Sequence, residues 1–158
     1  MANLNTIVRQ VMAIDPQAPA LEYKQQWHTW GELSGIVEAI EGILAANGIG
    51  TGTRIGGILR NTPQIAATII AIVTSDRCVV TLNPALPDDK LVNDIVTLKT
   101  PVVIAESQDW QRQAVFEAVK ASGALGIEIT GDTAHPARGI LEMTGSDFRR
   151  DAEGVGIE

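Results

Sequence analysis

A single cysteine, Cys78, leaves no internal disulfide to form, which agrees with a reducing compartment and an expected place in the cytoplasm. At the head of an apolar strand it is expected as a buried small hydrophobe, not a reactive thiol. Histidine is as sparse: His28 and His135 stand far apart, and no cysteine, histidine or carboxylate cluster has metal-ligand spacing, so no metal site is expected. Basic charge is short too. Twelve Lys and Arg against 19 Asp and Glu leave a net charge of −7, and the basic residues are scattered and form no stripe, so nucleic acid is not an expected partner. The longest apolar runs, Ile65 to Val73 and Cys78 to Leu82, fall well short of the ~20 residues that a membrane span requires. Asn3, Asn5 and Arg9 break up any basic-then-apolar signal at the start. Neither a membrane anchor nor an export signal is expected.

What is present is a chain of 158 residues, enough for one domain that buries about 70% of its unfolded surface. Its centre is a strand, helix, strand unit from Arg54 to Pro84. Thr62 is placed to cap the helix and Pro63 fits its first position, where a missing N–H is not needed. The body from Ile65 to Val73 is apolar almost all round, which implies cover from other elements on most sides. A charge at Ile69 or Ile72 is therefore expected to prevent folding.

Before this unit, Leu4, Ile7, Val8, Val11 and Met12 have the spacing of one helical face. Ala20 to Lys24 and Trp27 to Trp30 form an expected hairpin, with Lys24, Gln25 and Gln26 as its turn. Thr29 with Glu32 makes a capping box for a helix that buries Leu33, Ile36, Val37, Ile40, Ile43 and Leu44 and stops at Asn47-Gly48. Gly48, Gly50 and Gly52 follow a helix and precede a strand, the reverse of a dinucleotide-binding loop, so capping and turning explain them. After Pro84, Asp88 or Asp89 is expected to cap a helix through Leu98. A strand at Val102 to Ala105, a helix over Asp109 to Ala121 with Trp110 inward, and a strand at Leu125 to Ile129 follow. Gly131 to Arg138 reads as a loop and Ile140 to Met143 as one apolar turn. Strands with continuous apolar runs separated by helices predict an α/β fold with a mostly parallel sheet covered on both faces, plus the short N-terminal hairpin. Residues 1–144 are expected as the subdomain and 145–158 as a linker.

Residue chemistry alone marks no site. Ser34, Ser75, Ser107, Ser122 and Ser146 lack the glycine-flanked elbow of an acyl-transfer serine. Asp88 and Asp89 do not face each other on a helix. Asp76-Arg77, where the central helix meets its second strand, reads as a solvated turn, because exposed ion pairs are worth only ~0–1 kcal/mol. Trp27, Trp30 and Trp110 are too spread for a stacking platform and read as core and lid.

The order of the pieces resembles the adenylate-forming ligase superfamily of acyl-CoA synthetases, luciferases and adenylation domains. Thr29-Trp30-Gly31-Glu32-Leu33 resembles the family's "TWxEL" at a long helix, and Gly48 to Ile55 its "GIxxGDRV" link into a strand. Arg60-Asn61-Thr62-Pro63-Gln64 is similar to "xNxPE", and Val79 to Pro84 to "xVPLNP". The helix and strand from Leu91 to Ile104 look like those that follow. The resemblance covers about residues 5–106 well and the rest loosely. It implies a longer enzyme that uses ATP, Mg²⁺ and coenzyme A to activate a carboxylic acid, with fatty acid metabolism as the setting. The family's catalytic parts are a Ser/Thr/Gly-rich phosphate loop ending in lysine, a Thr-Glu pair, and a lysine in a C-terminal domain. None is in this chain, whose tail from Ala152 to Glu158 resembles the run-in to that loop. The expectation is thus a partial N-terminal subdomain with no catalytic, cofactor-binding or metal-binding residues of its own. Asp76-Arg77 replaces the small pair the family usually has there, and a left-handed non-glycine residue at this point would cost ~1 kcal/mol.

Two other readings stand beside this one. A flavodoxin or response-regulator type of binding module would want a phosphate loop or acidic residues after the first core strand, and Arg60 to Pro63 supplies neither. A self-associating fragment would expose apolar surface, and a mean hydropathy of +0.11 fits it. The expected partners are the remainder of its own polypeptide and a second copy bound through exposed apolar surface.

Overall fold

The computed structural model of the protein describes residues 3–145. The expected linker therefore lies outside the described residues, apart from Gly145. In chain order the elements are α1 (Leu4–Ile14), β1 (Pro19–Tyr23), β2 (Gln26–Thr29), α2 (Trp30–Ala46), β3 (Arg54–Ile58), α3 (Pro63–Thr74), β4 (Cys78–Leu82), α4 (Asp88–Leu98), β5 (Val102–Glu106), α5 (Ser107–Trp110), α6 (Gln113–Ser122), β6 (Leu125–Ile129) and β7 (Ala137–Leu141). The main sheet has the order β4-β3-β5-β6-β7. Its first four strands are mutually parallel and β7 is antiparallel to β6. The α/β class, the mostly parallel sheet and the separate β1–β2 hairpin are as the sequence predicts.

The apolar runs of the parallel strands are read by both faces of the sheet. On one face Ile55, Val102, Ile104, Leu125 and Ile127 pack under α2 and α3 through Leu33, Val37, Ile40, Leu44, Ala67 and Ile72. On the other, Val103 and Ala105 meet Leu91 and Ile95 of α4 and Val115 and Val119 of α6. Alternation along β5 thus feeds two cores, as expected of a strand buried on both sides.

The local signals hold. Thr29 and Glu32 exchange both bonds of the capping box, and Gly48 turns the chain out of α2 with φ +67. The Thr62 hydroxyl accepts from the Ile65 N–H at 3.2 Å.

Several expectations need correction. Ile69 is 36% exposed, whereas Ile72 is fully buried: α3 lies in the outer layer beside α1 and α2, and one stripe of it faces solvent. The first helix likewise buries only Met12, while Leu4, Ile7 and Val11 are exposed. Cys78 is exposed because β4 is an edge strand. Neither Asp88 nor Asp89 caps α4, whose N-cap is Pro87. The helix expected from Asp109 to Ala121 is two helices broken at Gln111-Arg112, with Ala114 exposed. The apolar turn at Ile140 is part of strand β7, whose backbone pairs with β6 from Ala137 to Leu141. Asp76 has φ +56, the left-handed geometry that costs a non-glycine residue ~1 kcal/mol. It forms no ion pair with Arg77. Burial lowers the Arg77 guanidinium below its ordinary value, and its Nη2 donates to the Ile49 carbonyl and ties the β3 approach to the α3–β4 turn.

The two isoleucines of α3 should respond differently to charge. Ile72→Asp is expected to leave no cooperative unfolding transition, because it places an unpaired carboxylate in a closed core. Ile69→Asp should still fold, with a loss of ~1 kcal/mol in urea unfolding. Equal losses at the two positions would contradict this placement of α3.

Candidate functional site

In an open α/β sheet the natural ligand position lies beyond the carboxyl ends of the strands, where the strand order reverses. Here that point falls between β3 and β5, since α3 carries the chain outward to β4 and α4 returns it to β5. The residues that emerge there are Arg60 and Thr62 after β3, and Glu106 and Asp109 at and after β5.

They are engaged with one another. Arg60 Nε and Nη2 each donate at 2.7 Å to the two oxygens of Asp109, whose side chain is fully buried. Asp109 raises the Arg60 guanidinium further above its ordinary value through this bidentate bond. The Thr62 hydroxyl donates to Glu106, which also accepts from Gln108 Nε2 at 2.9 Å. Arg112 lies 3.6 Å from Asp109 and 2.6 Å from Asp88, and donates to the carbonyls of Pro84 at 3.1 Å and Leu86 at 2.8 Å. One buried carboxylate thus ties together the loops after β3, β4 and β5. Trp110 adds a pin, its Nε1–H shared between the carbonyls of Ala105 at 3.2 Å and Ile127 at 3.1 Å.

The helix start beside this crevice has few donors left for an anion. Pro63 has no N–H, Thr62 takes that of Ile65, and the Ala66 N–H bonds to the Thr62 carbonyl at 3.0 Å. Gln64 alone remains among the first turn.

Two clefts flank the crevice and meet at Gln64, Thr130 and Gly131. One, of about 290 Å³, is lined by His28, Glu32 and Asp132 among others; the other, of about 300 Å³, by Glu106 and Ser107. The fold therefore brings the hairpin and the 130–136 loop to one place. His28 Nδ1 lies 3.2 Å from Glu32, a carboxylate already engaged by the Thr29 N–H. His135 lies 3.4 Å from the exposed Asp132. Three carboxylates on these walls favour donors and cations and oppose a polyphosphate. Among the described residues no group of three or more His, Cys, Asp or Glu could hold a metal ion.

The residues weighed from sequence fall elsewhere. Gly48 to Gly52 lead into the amino end of β3, opposite the crevice. Ser75 and Ser122 bond to helix carbonyls at 2.6 and 2.7 Å, and Ser146 lies outside the described residues. Asp88 is an Arg112 partner, Trp27 is exposed, and Trp110 is core. Sequence reasoning missed Arg60, Asp109 and Arg112, whose pairing joins positions 49 residues apart. No local signal set Asp109 apart, since its neighbours Glu106, Ser107, Gln108, Gln111 and Arg112 are polar as well.

Further along the sheet, Glu128 on β6 is nearly buried and bonded to Arg138 of β7. Burial pushes its carboxyl up, but Arg138 and the Ser107 hydroxyl outweigh this and hold it below the ordinary value.

A family model described as AMP-binding enzyme matches residues 8–152. The chain is 26% identical over 131 residues to a medium/long-chain-fatty-acid–CoA ligase, FadD6, of Mycobacterium tuberculosis, covering 83% of this chain and 21% of that protein. It therefore spans about a fifth of the length of that curated relative. Among solved structures it is similar to apo MatB from Rhodopseudomonas palustris, with 20% identity, a TM-score of 0.60, and cover of 80% of this chain and 24% of that one. A mutant form of Coronafacic Acid Ligase from Pectobacterium brasiliense gives 16% identity and a TM-score of 0.65, over 77% of this chain and 24% of that one. These structural likenesses show the fold.

Two measurements test the crevice. Arg60→Met should cost ~3 kcal/mol, because it strips the bidentate partner from a buried carboxylate. Adding Asp109→Leu should recover much of that loss, since both charges are then gone; a single-variant loss below ~0.5 kcal/mol, or no recovery, would contradict the pairing. Glu128 has a folded-state value below its unfolded one, so the stability it adds is present above the ordinary glutamate value of 4.5. It is lost as pH falls from there through the folded value. Glu128→Gln should flatten that acid limb, and an unchanged acid limb would count against the Arg138 and Ser107 contacts.

Proposed function

The chain belongs to the AMP-binding enzyme family, the adenylate-forming ligases, and on that premise we propose that it is the N-terminal scaffold region of a longer acid–CoA ligase. The parent activates a carboxylic acid with Mg-ATP to an acyl-adenylate and passes the acyl group to coenzyme A. The acid is of the fatty-acid class, following the name of the Mycobacterium tuberculosis relative, and the enzyme works in the cytoplasm.

This region contributes no group to the chemistry. The observation that carries the reading is the closed state of the switch-point crevice: Arg60 is bidentate to a fully buried Asp109. A nucleotide site at that point needs several free donors for its phosphates, and of the donors in the first turn of α3 only the Gln64 N–H is left. The cleft walls add Glu32, Glu106 and Asp132, which repel a triphosphate. What the region supplies is a fixed set of loops at the carboxyl ends of its strands, against which the rest of the polypeptide, its main partner, is held. The parent's phosphate loop, metal-binding and adenylating residues lie on other parts of the polypeptide.

Saturating Mg-ATP should leave the melting temperature of this chain unchanged. A ligand at a hundredfold excess over its dissociation constant would add ~2.7 kcal/mol, so a rise of several degrees would overturn the scaffold reading. The longer polypeptide should catalyse fatty-acid-dependent exchange of pyrophosphate into ATP. No exchange with any carboxylic acid would overturn the ligase reading.

A further inference from the structure

The two edges of the main sheet are unlike. At one end β7 is antiparallel, carries the exposed Arg138, and has a register shift between Gly126 and Ile127 of its partner β6, devices that blunt an edge against pairing. At the other end β4 reads Cys78-Val79-Val80-Thr81-Leu82, five residues with no charge, proline or bulge. This strand bonds only to β3 among the described residues.

The direction of its backbone groups follows from the bonds at its two ends. The Cys78 N–H donates to the Thr53 carbonyl at 3.0 Å, and the Leu82 carbonyl accepts from the Leu59 N–H at 3.2 Å. In a parallel ladder a residue directs both its N–H and its C=O to the same neighbour, and successive residues alternate. Cys78, Val80 and Leu82 therefore face β3, while Val79 and Thr81 direct theirs outward. The Cys78 thiol, 3.9 Å from the Val79 carbonyl, makes only a weak contact there. Charge does not oppose a partner strand: Asp76 and Arg77 lie before the strand and Asn83 after it.

We propose that the open β4 edge is the self-association surface of this protein, pairing antiparallel with β4 of a second copy about a two-fold axis through Val80. The two outward residues select this register. With the axis at Val80, Val79 lies opposite Thr81 of the second copy and Thr81 opposite its Val79. Both are hydrogen-bonded pairs that together make four backbone bonds. Val80 then meets its own copy in the close, non-hydrogen-bonded position, and Cys78 lies opposite Leu82. Asp76 and Arg77 come opposite Pro84 and Asn83, so no like charges face each other. The result is one sheet continuous across two copies, with exposed Thr81 and Cys78 each set beside an apolar side chain. The inference stands apart from the ligase reading, because it depends on the edge alone.

The test is the mass of this chain in solution, by sedimentation and light scattering across concentration, with variants on the outward residues. The unaltered chain is expected to be dimeric at high concentration. Thr81→Pro removes an outward donor without touching a β3 bond, and Thr81→Lys adds a charge beside the partner strand; either should give a monomer. In a Cys78→Ser background, Val80→Cys should form a disulfide-linked dimer on mild oxidation, since the paired Cα atoms lie ~4.5 Å apart. Cys78 of the unaltered chain sits ~14 Å from its equivalent and should not cross-link. A monomer at every concentration overturns the proposal. So does a dimer that survives both Thr81 variants, or one in which Val80→Cys fails to cross-link while Cys78 does.

Discussion

A carboxylate with no exposure to water must be answered by the protein, and in this chain that carboxylate is Asp109. Desolvating it would cost several kcal/mol if it stood alone. Its bidentate bond to Arg60 and its contact with Arg112 meet that cost. The consequence is geometric before it is energetic. Arg60 fixes the path between β3 and α3, Arg112 fixes the path from β4 to α4 through Pro84, Leu86 and Asp88, and Asp109 itself belongs to the short α5 after β5. Replacing such a cluster with apolar side chains is often neutral for stability. Its effect is to give the three loops one arrangement instead of several.

This joint sits on a sheet that needs both of its faces covered. The chain covers them in sequence order: α1 to α3 on one side, α4 to α6 on the other. The reversal between β3 and β5 is where the two sides meet. A crevice is unavoidable at such a point, and a chain can leave it open for a ligand or close it with its own side chains. Arg60 and Asp109 close it. Thr62 and Glu106 do the same one step along.

Much of the fold was legible because its signals are local. The Thr29–Glu32 box, the Thr62-Pro63 start and the Asn47-Gly48 stop each act within one turn of helix, so residue type and spacing suffice. What was not legible depends on partners far away in the sequence. Cys78-Val79-Val80-Thr81-Leu82 has the same local pattern whether it is central or at an edge, and only the strand order makes Cys78 exposed. Ala137 to Leu141 is short and carries Arg138 and Gly139, so it gives little strand signal by itself; pairing with β6 and the Glu128–Arg138 contact make it a strand. Lys24 and Gln25 both take positive φ, 50° and 65°, in a two-residue turn that usually asks for glycine or asparagine. The hairpin holds them there against their preference. The candidate site was the least legible part, since Asp109 looks like any helix-starting aspartate until Arg60 is brought to it.

The same local facts bear on the proposal that this stretch of the family fold acts as scaffold. Phosphate recognition needs free N–H groups, cations and space at the carboxyl ends of strands. In this region Pro63 lacks an N–H and those of Ile65 and Ala66 are taken by Thr62, which leaves the α3 start only the Gln64 N–H, and the nearest cations are committed to Asp109. Arg60 and Arg112 cannot leave it without stranding a buried charge, so a ligand would have to compete with the fold for them. On the scaffold reading proposed above, a ligase assembled on this region brings its phosphate-binding groups from elsewhere in its sequence. On that proposal, the side-chain pairing that closes the crevice is also what suits it to hold another part of the enzyme in place.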